Sequence, residues 1–399
     1  MLLQGLKVVD FTAYIAGPGT AAILGDWGAE VIKVERPEGD NMRHVFADLK
    51  NDLGANPTFE VDNRGKRGVV LDITKPAGRD ALAKLAETAD VFLTNTRPAS
   101  LKKYGLDEAT LRKLNPRLVY AVITGYGLEG PDAHLPGFDV TAFWARSGIA
   151  YMTAPKGAEP FMRTSGMGDH STSLATVSAI LAALYEREKT GVGRLVQTSL
   201  LATGVYLWGS DLAVQLKFGR VASVRSRDNP MNALANHFRS SDGHWFVHNP
   251  RGGHGGWEKF LKAAGCEDLI ADDRFASGKA RRANARELAV ELEAAFARLP
   301  MAEIALRLNE ADLVWAPLQV PAQVAEDPQI AAAGAFIEIE DGQGGTFRSV
   351  AAPARFPGAD ATVRPRAPRL GEHTRNVLKE LGYADADIDA MYEAGAAAG

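Results

Sequence analysis

Five short apolar runs separated by helix-length stretches constrain the first third of this chain more tightly than any other feature. Leu6 to Phe11 reads as a buried strand, Gly17 to Leu24 as a turn entering a helix, and Ala29 to Glu35 as a second strand. The alternation continues through strand Gly68 to Leu71, helix Gly78 to Ala86, strand Val91 to Leu93, helix Glu108 to Leu114 and strand Leu118 to Thr124. Strands joined by helical crossovers pair in parallel, and a parallel sheet needs helices on both faces to bury its apolar runs. The expected fold class is therefore α/β, with a Rossmann-like parallel sheet. Ligands of such sheets bind at the carboxyl ends of the strands. Here those ends are Thr12 to Gly19, Glu35 to Arg43, Thr94 to Arg97 and Gly125 to Gly137, all loops rich in Gly, Pro and polar residues.

At 399 residues the chain exceeds what one core usually holds, so a second domain is expected. After a helix over Leu174 to Leu184 and a strand and helix within Leu195 to Leu212, the character changes. Ser223 to His237 is polar and turn-rich, and Asp242-Gly243 then separates two short strands. Helices are predicted at Trp257 to Ala264, Ala285 to Ala297 and Met301 to Asn309. This pattern places residues 1–222 in the large domain and 223–324 in a smaller α+β domain, with 325–399 as a C-terminal segment. In that segment Phe336 to Glu340 and Gly345 to Val350 read as paired strands and Gly371 to Leu381 as a helix. The small-residue ending, Ala394 to Gly399, is expected to fray.

A net charge of −4 leaves no basic excess for a nucleic-acid backbone. No run reaches the roughly 18 uncharged apolar residues of a spanning helix. Met1 to Lys7 lacks the layout of a signal peptide, so a cytoplasmic protein is expected, with neither nucleic acid nor membrane as partner. The single cysteine, Cys266, is expected to be structural, and no Cys and His cluster has metal-ligand spacing, so a metal-free site is expected.

Chemistry concentrates in Arg163 to Leu174, where Asp169 stands between the pair Gly166 and Gly168 and a run of hydroxyl residues. Asp169, Ser171 or Thr172 could serve merely as the N-cap of the helix that follows, and the helix dipole favours a negative charge there in either role. Cations gather at the strand ends: Arg36, Arg43, Lys66, Arg67, Arg97, Lys102 and Lys103. Together they would suit a ligand carrying several phosphates. A nicotinamide site fits poorly, because Gly17-Pro18-Gly19 carries a proline in the turn and Ala22 takes the place of the third glycine. NAD is therefore not expected, although N–H groups at that helix start remain available for an anion or a carbonyl.

Several blocks together resemble the family III coenzyme A transferases, which include formyl-CoA and carnitine-type transferases and, as a side branch, α-methylacyl-CoA racemases. They are Val9-Asp10-Phe11-Thr12, Ala16-Gly17-Pro18, Trp27 to Pro37, Asn63 to Arg67 with Leu71-Asp72, Asn95-Thr96-Arg97-Pro98, Gly125-Tyr126-Gly127, Gly168-Asp169-His170 and Leu370 to Thr374. The resemblance spans nearly the whole chain. It implies a large domain built from both chain ends plus a small domain, with two subunits interlocked as a homodimer. It also implies coenzyme A as the substrate handle, exchanged between an acyl-CoA and a carboxylic acid. Asp169 then matches the catalytic aspartate. Arg36, Leu71, Asn95, Thr96, Arg97, Lys103 and Tyr104 match positions along CoA, and Ile15 and Ala16 match the turn near the thioester.

The resemblance further aligns Arg251, Gly252, Gly253 and His254 with a glycine loop that closes over intermediates, where Arg251 and His254 depart from the usual run. They are read either as contacts to the acceptor carboxylate or as loop surface. The racemase branch needs a His before an Asp after a glycine, and here that position reads Gly137-Phe138-Asp139. Phenylalanine cannot exchange a proton. His134 or His170, nearby in sequence, could supply the missing base. The formyl-CoA branch carries glutamine where this chain has Ile15, which points to a larger or less polar acyl group.

Overall fold

The computed structural model describes residues 1–45, 56–161, 166–221, 224–250, 256–358 and 363–399. The chain divides into two compact units. The first comprises Met1–Tyr151, Phe161–Val221 and Ala331–Gly399. Its strands are β1 (Lys7–Phe11), β2 (Glu30–Glu35), β3 (Arg67–Leu71), β4 (Val91–Thr94), β5 (Val119–Thr124) and β6 (Leu195–Ser199). Its helices include α1 (Ala16–Asp26), α2 (Pro57–Asn63), α3 (Pro76–Thr88), α4 (Pro98–Lys103), α5 (Glu108–Leu114), α6 (Ile149–Met152) and α7 (Met167–Thr190), with a π-helix at Asp139–Arg146.

β1 to β6 form one parallel sheet in which β1 pairs with both β2 and β4, so the order runs β3-β2-β1-β4-β5-β6. The chain therefore reverses its direction of winding at β1, where a crevice opens at the carboxyl ends. Alternate residues of each strand point to opposite faces. Val9, Val34, Phe92, Tyr120 and Val122 pack against α3 and α5 with Leu82, Leu85 and Leu111. Val8, Val31, Leu93, Val119 and Ile123 pack the other way, against Leu24 of α1 and Val177, Ile180 and Leu184 of α7. Both faces are covered, as near-continuous apolar strands require.

The second unit, Met152–Pro160 and Ala222–Ile330, is a three-stranded antiparallel sheet of β7 (Asn236–Arg239), β8 (Trp245–His248) and β9 (Trp315–Pro317), packed with helices around Phe238, Phe246, Phe260 and Phe296. Cys266 lies at the edge of this core, and burial, reinforced by Asp268 and Glu267, pushes its thiol up to about 12.

In the C-terminal segment β10 (Phe336–Glu340) pairs antiparallel with β11 (Thr346–Val350) and parallel with β12 (Val363–Arg364). The expected fraying of Ala394 to Gly399 is wrong. A final strand, β13 (Ala397–Ala398), joins the large sheet antiparallel to β3, with Ala397 opposite Leu71 and Ala398 opposite Val70. Small side chains let the terminus bury: Ala396 and Ala397 are both inside the core. Asp72 N–H donates to Ala396 carbonyl at 3.0 Å, and Thr374 Oγ1 donates to Ala398 carbonyl at 2.7 Å. Deleting Ala396–Gly399 should cost roughly 2 to 3 kcal/mol, about one per lost hydrogen bond plus the exposed edge of β3. An unchanged urea midpoint would contradict this.

Candidate active site

The turn leaving β1 is held in an unusual shape. Tyr14 has φ of 69°, a left-handed conformation that costs a non-glycine residue energy and persists only where neighbours hold it. Asn95 clamps the residue before it: Ala13 N–H donates to Asn95 Oδ1 at 3.0 Å, and Asn95 Nδ2 donates to Ala13 carbonyl at 2.7 Å. Tyr14 N–H donates to Asp40 Oδ1 at 3.1 Å, and Asn41 Nδ2 donates to Tyr14 Oη at 2.5 Å. Ile15 then leads into α1, whose open first turn presents the N–H groups of Ile15, Ala16 and Gly17.

Beneath this turn lies a buried charge network. Lys66 Nζ donates to Asp10 Oδ2 at 2.7 Å, Pro18 carbonyl at 2.9 Å and Asn63 Oδ1 at 3.0 Å. Lys33 Nζ donates to Asp40 Oδ2 at 2.9 Å and to Thr12 carbonyl at 3.2 Å, while Thr12 Oγ1 donates to Asp10. Arg43 grips Glu35 with bonds of 2.6 and 2.7 Å, and Glu35 accepts from Asp40 N–H at 3.0 Å. Burial opposes the charge on Asp10, but Lys66, Lys33 and the two hydrogen bonds outweigh it and hold the carboxyl below its usual range.

Beside the turn, a cleft of about 650 Å³ opens at the carboxyl ends of β1, β2 and β3, next to the switch point. Its walls include Tyr14, Arg36, Leu71, Thr96, Ser100 and Tyr104. Arg36 reaches Asn41 Oδ1 at 2.6 Å and Gly39 carbonyl at 3.1 Å.

Asp169 occupies the third position of α7. The helix starts at Met167, seven residues before the expected Leu174, so the carboxylate sits inside the first turn and is not its cap. The N-cap is Gly166, whose φ of 70° suits glycine, with no side-chain hydrogen bond. Ser171 and Thr172 bond back to the carbonyls of Met167 and Gly168, which excludes them as caps as well. A Cβ on Gly168 would stand 2.2 Å from Asp139 Oδ1, so only glycine lets the π-helix approach. Asp139 Oδ1 accepts from Gly168 N–H at 2.9 Å and so aligns the start of α7. Next to Asp169 lie Ile15, whose Cδ1 is 2.9 Å from where a Gly166 Cβ would be, and His170, whose Nε2 is 3.0 Å from Asp62 Oδ1. Burial lifts Asp169 to about 7; Asp139 and Asp62 add to the rise and His170 opposes it.

A partly buried carboxylate at a helix start thus lies next to Ile15, which follows directly on a turn whose Tyr14 lines the cleft. Residues 3–374 match CoA-transferase family III. The chain belongs to that family. It is 34% identical over 98% of both chains to the (R)-2-hydroxy-4-methylpentanoate CoA-transferase of Clostridioides difficile. It is 32% identical to the cinnamoyl-CoA:phenyllactate CoA-transferase of Clostridium sporogenes, over 98% of this chain and 96% of that one. The crystal structure of a CaiB/BaiF family protein from Brucella suis superposes with a TM-score of 0.85 at 32% identity, covering 95% of this chain and 99% of that one. The protein is thus a transferase, and CoA is its substrate handle.

Within this family III fold, Arg36, Leu71, Thr96 and Tyr104 share the cleft. Arg97 precedes α4, Lys103 ends it with its ammonium 5.2 Å from the Tyr104 ring centre, and both are exposed. Three of the expected phosphate cations are committed elsewhere. Lys66 and Arg43 neutralise Asp10 and Glu35, and Arg67 pairs with Glu30 and Glu380, because buried or half-buried charge must find a partner inside the protein. Both polar groups of the Asn95 amide go to Ala13, so it shapes the turn. Phe138 packs edge-on against Tyr14, ring centres 5.4 Å apart, and remains 52% exposed. Arg251, Gly252, Gly253 and His254 lie outside the described residues, as do Arg163 to Ser165. Sequence reasoning missed Asp40, Asn41 and Asp62. The turn composition of Glu38-Gly39-Asp40-Asn41 could have flagged the first two; Asp62, in a helix without apolar periodicity, left no signal. Among the described residues, no helix is long and apolar enough to cross a membrane.

Proposed function

We propose that the protein moves CoA from an acyl-CoA thioester to a carboxylic acid with Asp169 as nucleophile. The placement of Asp169 beside the Ile15 turn carries this reading. Its carboxylate oxygen attacks the thioester carbonyl, the C–S bond breaks, and a mixed anhydride forms with release of CoA thiolate. The thiolate then attacks the aspartyl carbonyl, releasing the donor acid and leaving an aspartyl-CoA thioester. The acceptor carboxylate repeats the exchange in reverse. No proton moves in any step. The oxyanions need fixed donors. Since the Tyr14 N–H is taken by Asp40, the groups available are those of Ile15, Ala16 and Gly17. CoA itself would lie in the cleft along Arg36, Leu71, Thr96 and Tyr104, with Arg97 and Lys103 at its rim.

Ile15 beside Asp169 is apolar, and the turn that leads to it carries the Tyr14–Phe138 ring pair. This setting favours an acid with a hydrophobic side chain, and the two clostridial relatives are named for 2-hydroxy acids of that kind. A racemase reading loses ground, because His134 is exposed on its loop and His170 is committed to Asp62. A homodimer belongs to the same proposal: the helix Gly209–Phe218 buries none of its residues and exposes Leu216 and Phe218 by 79% and 67%. Incubation with acyl-CoA and hydroxylamine should convert Asp169 to its hydroxamate, seen as a gain of about 15 Da on its tryptic peptide, the mass of the NH added when the acid OH becomes NHOH. An unmodified peptide under turnover would remove the covalent mechanism.

A further inference from the structure

His170 and Asp62 form a pair that the transfer chemistry does not by itself require. Asp62 is buried on α2, whereas the imidazole keeps 47% of its side chain exposed beside Asp169. The contact is built into the packing of three helices. On α1, a Cβ at Gly19 would stand 2.9 Å from Ser173 Oγ, 3.0 Å from Asp62 Oδ1 and 3.5 Å from His170 Cδ2. Ser173 Oγ in turn donates to Ala16 carbonyl at 2.7 Å. Glycine at 19 therefore lets α1 close over the pair, and the pair is tied to the turn that faces the thioester.

The charges around Asp169 show what the pair does. Asp139 faces it from the π-helix, Asp62 from α2 and His170 from its own helix, while Lys66, which also feels Asp62, is bonded to Asp10. Two carboxylates therefore surround a third, and one imidazole stands against them. We propose that Asp62 and His170 form a positioning dyad in which Asp62 holds the imidazole charged and the imidazolium keeps Asp169 ionised for attack. The hydrogen bond to Asp62 is the main cause that raises His170 above its ordinary value, with Asp62, Asp169 and Asp139 adding their fields against burial. A neutral residue at 170 leaves burial and two carboxylates unopposed at Asp169.

The inference rests on Asp169 being the nucleophile. The test is the pH profile of kcat/KM for His170→Gln. Its acid limb should move up by about one pH unit, a loss of roughly tenfold on that limb that narrows as the pH rises. A merely structural role would lower the rate equally at all pH values, and parallel profiles would overturn the dyad. As a second readout independent of activity, histidine-labelled protein should show His170 titrating above 6.5, and Asp62→Asn should lower that midpoint. A wild-type midpoint at or below 6.5, or one unmoved by Asp62→Asn, also overturns it. Failure of the nucleophile reading is distinguishable, since Asp169→Ala would then still exchange CoA, whereas failure of the dyad alone leaves Asp169→Ala inactive.

Discussion

Asp169→Ala should lose CoA exchange by at least about 10³-fold and yet give a folded protein that is more stable than the parent above neutral pH. Loss of activity follows from removing the side chain proposed to form the acyl link, since the open turn of α1 can polarise a thioester but cannot attack it. The gain in stability follows from linkage. Folding raises this carboxyl from its usual range to about 7, so between those two values the folded state binds more protons than the unfolded chain. Stability therefore falls as the pH rises through that window, and the ionised group is a burden above it. Removing it should add roughly 1 to 2 kcal/mol at pH 8, a figure reduced from the full shift because the group is only partly buried. The lost attraction of a carboxylate to the helix start, about 0.5 kcal/mol, is too small to reverse the sign. Thermal unfolding at pH 5 and pH 8 checks this: the advantage of the variant should appear at pH 8 and shrink at pH 5. A variant that still exchanges CoA would overturn the mechanism, and one that is less stable at pH 8 would overturn the electrostatic account.

Lys66→Met should have the largest effect on folding. Lys66 is 4% exposed, and burial brings its ammonium down to about 8 despite the field of Asp10. Methionine matches its length but strips Asp10, which is fully buried, of its closest counter-charge, and leaves Pro18 carbonyl and Asn63 Oδ1 without their donor. Breaking one side of a buried ion pair typically costs about 3 to 5 kcal/mol. The remaining Lys33, which also faces Asp10, limits the loss but cannot replace the three hydrogen bonds. Urea unfolding should show a loss in this range, whereas a change under about 1 kcal/mol would mean that the network is not what holds the turn. The double variant Asp10→Leu with Lys66→Met should recover part of the loss, because an apolar pair of similar size can replace a buried ion pair.

The two variants divide the site into the proposed nucleophile and a scaffold that shapes the backbone of the turn at Tyr14. Residues 10, 12, 33, 35, 40, 43 and 66 bond to one another, and the result is a turn with Tyr14 at positive φ and three N–H groups at the open end of α1. Charges drawn into a poorly polarisable interior are pinned by their partners, and this rigidity suits a site that must stabilise oxyanions without rearranging.

The strands were legible because near-continuous apolar runs of strand length, bounded by turns, have few alternatives: Val91 to Leu93 and Leu118 to Thr124 could bury both faces only inside a covered sheet. Helices with a clear stripe were equally plain, and Glu108–Leu114 and Trp257–Ala264 start and end where expected. Asp169 stood out as a candidate through its glycine-rich setting. Three things were not. The start of α7 was misplaced because Gly166 to Ser173 looks like loop by composition, and the contacts of Gly168 with Asp139 and of Ser173 with Ala16 make it helix. The final strand was missed because alanines carry no strand preference, and only the vacant edge of β3 gives them a partner. The division of the cations was hidden as well. Sequence places Arg43 after β2 and Lys66 and Arg67 at the start of β3, but whether a charge faces solvent or a buried carboxylate depends on residues distant along the chain. Local pattern thus determined the sheet and its helices, since each run buries its own apolar face. Tertiary structure decided which charges are free, how the Tyr14 turn is held and what surrounds Asp169, since charge pairing in a folded interior joins residues that no periodicity connects.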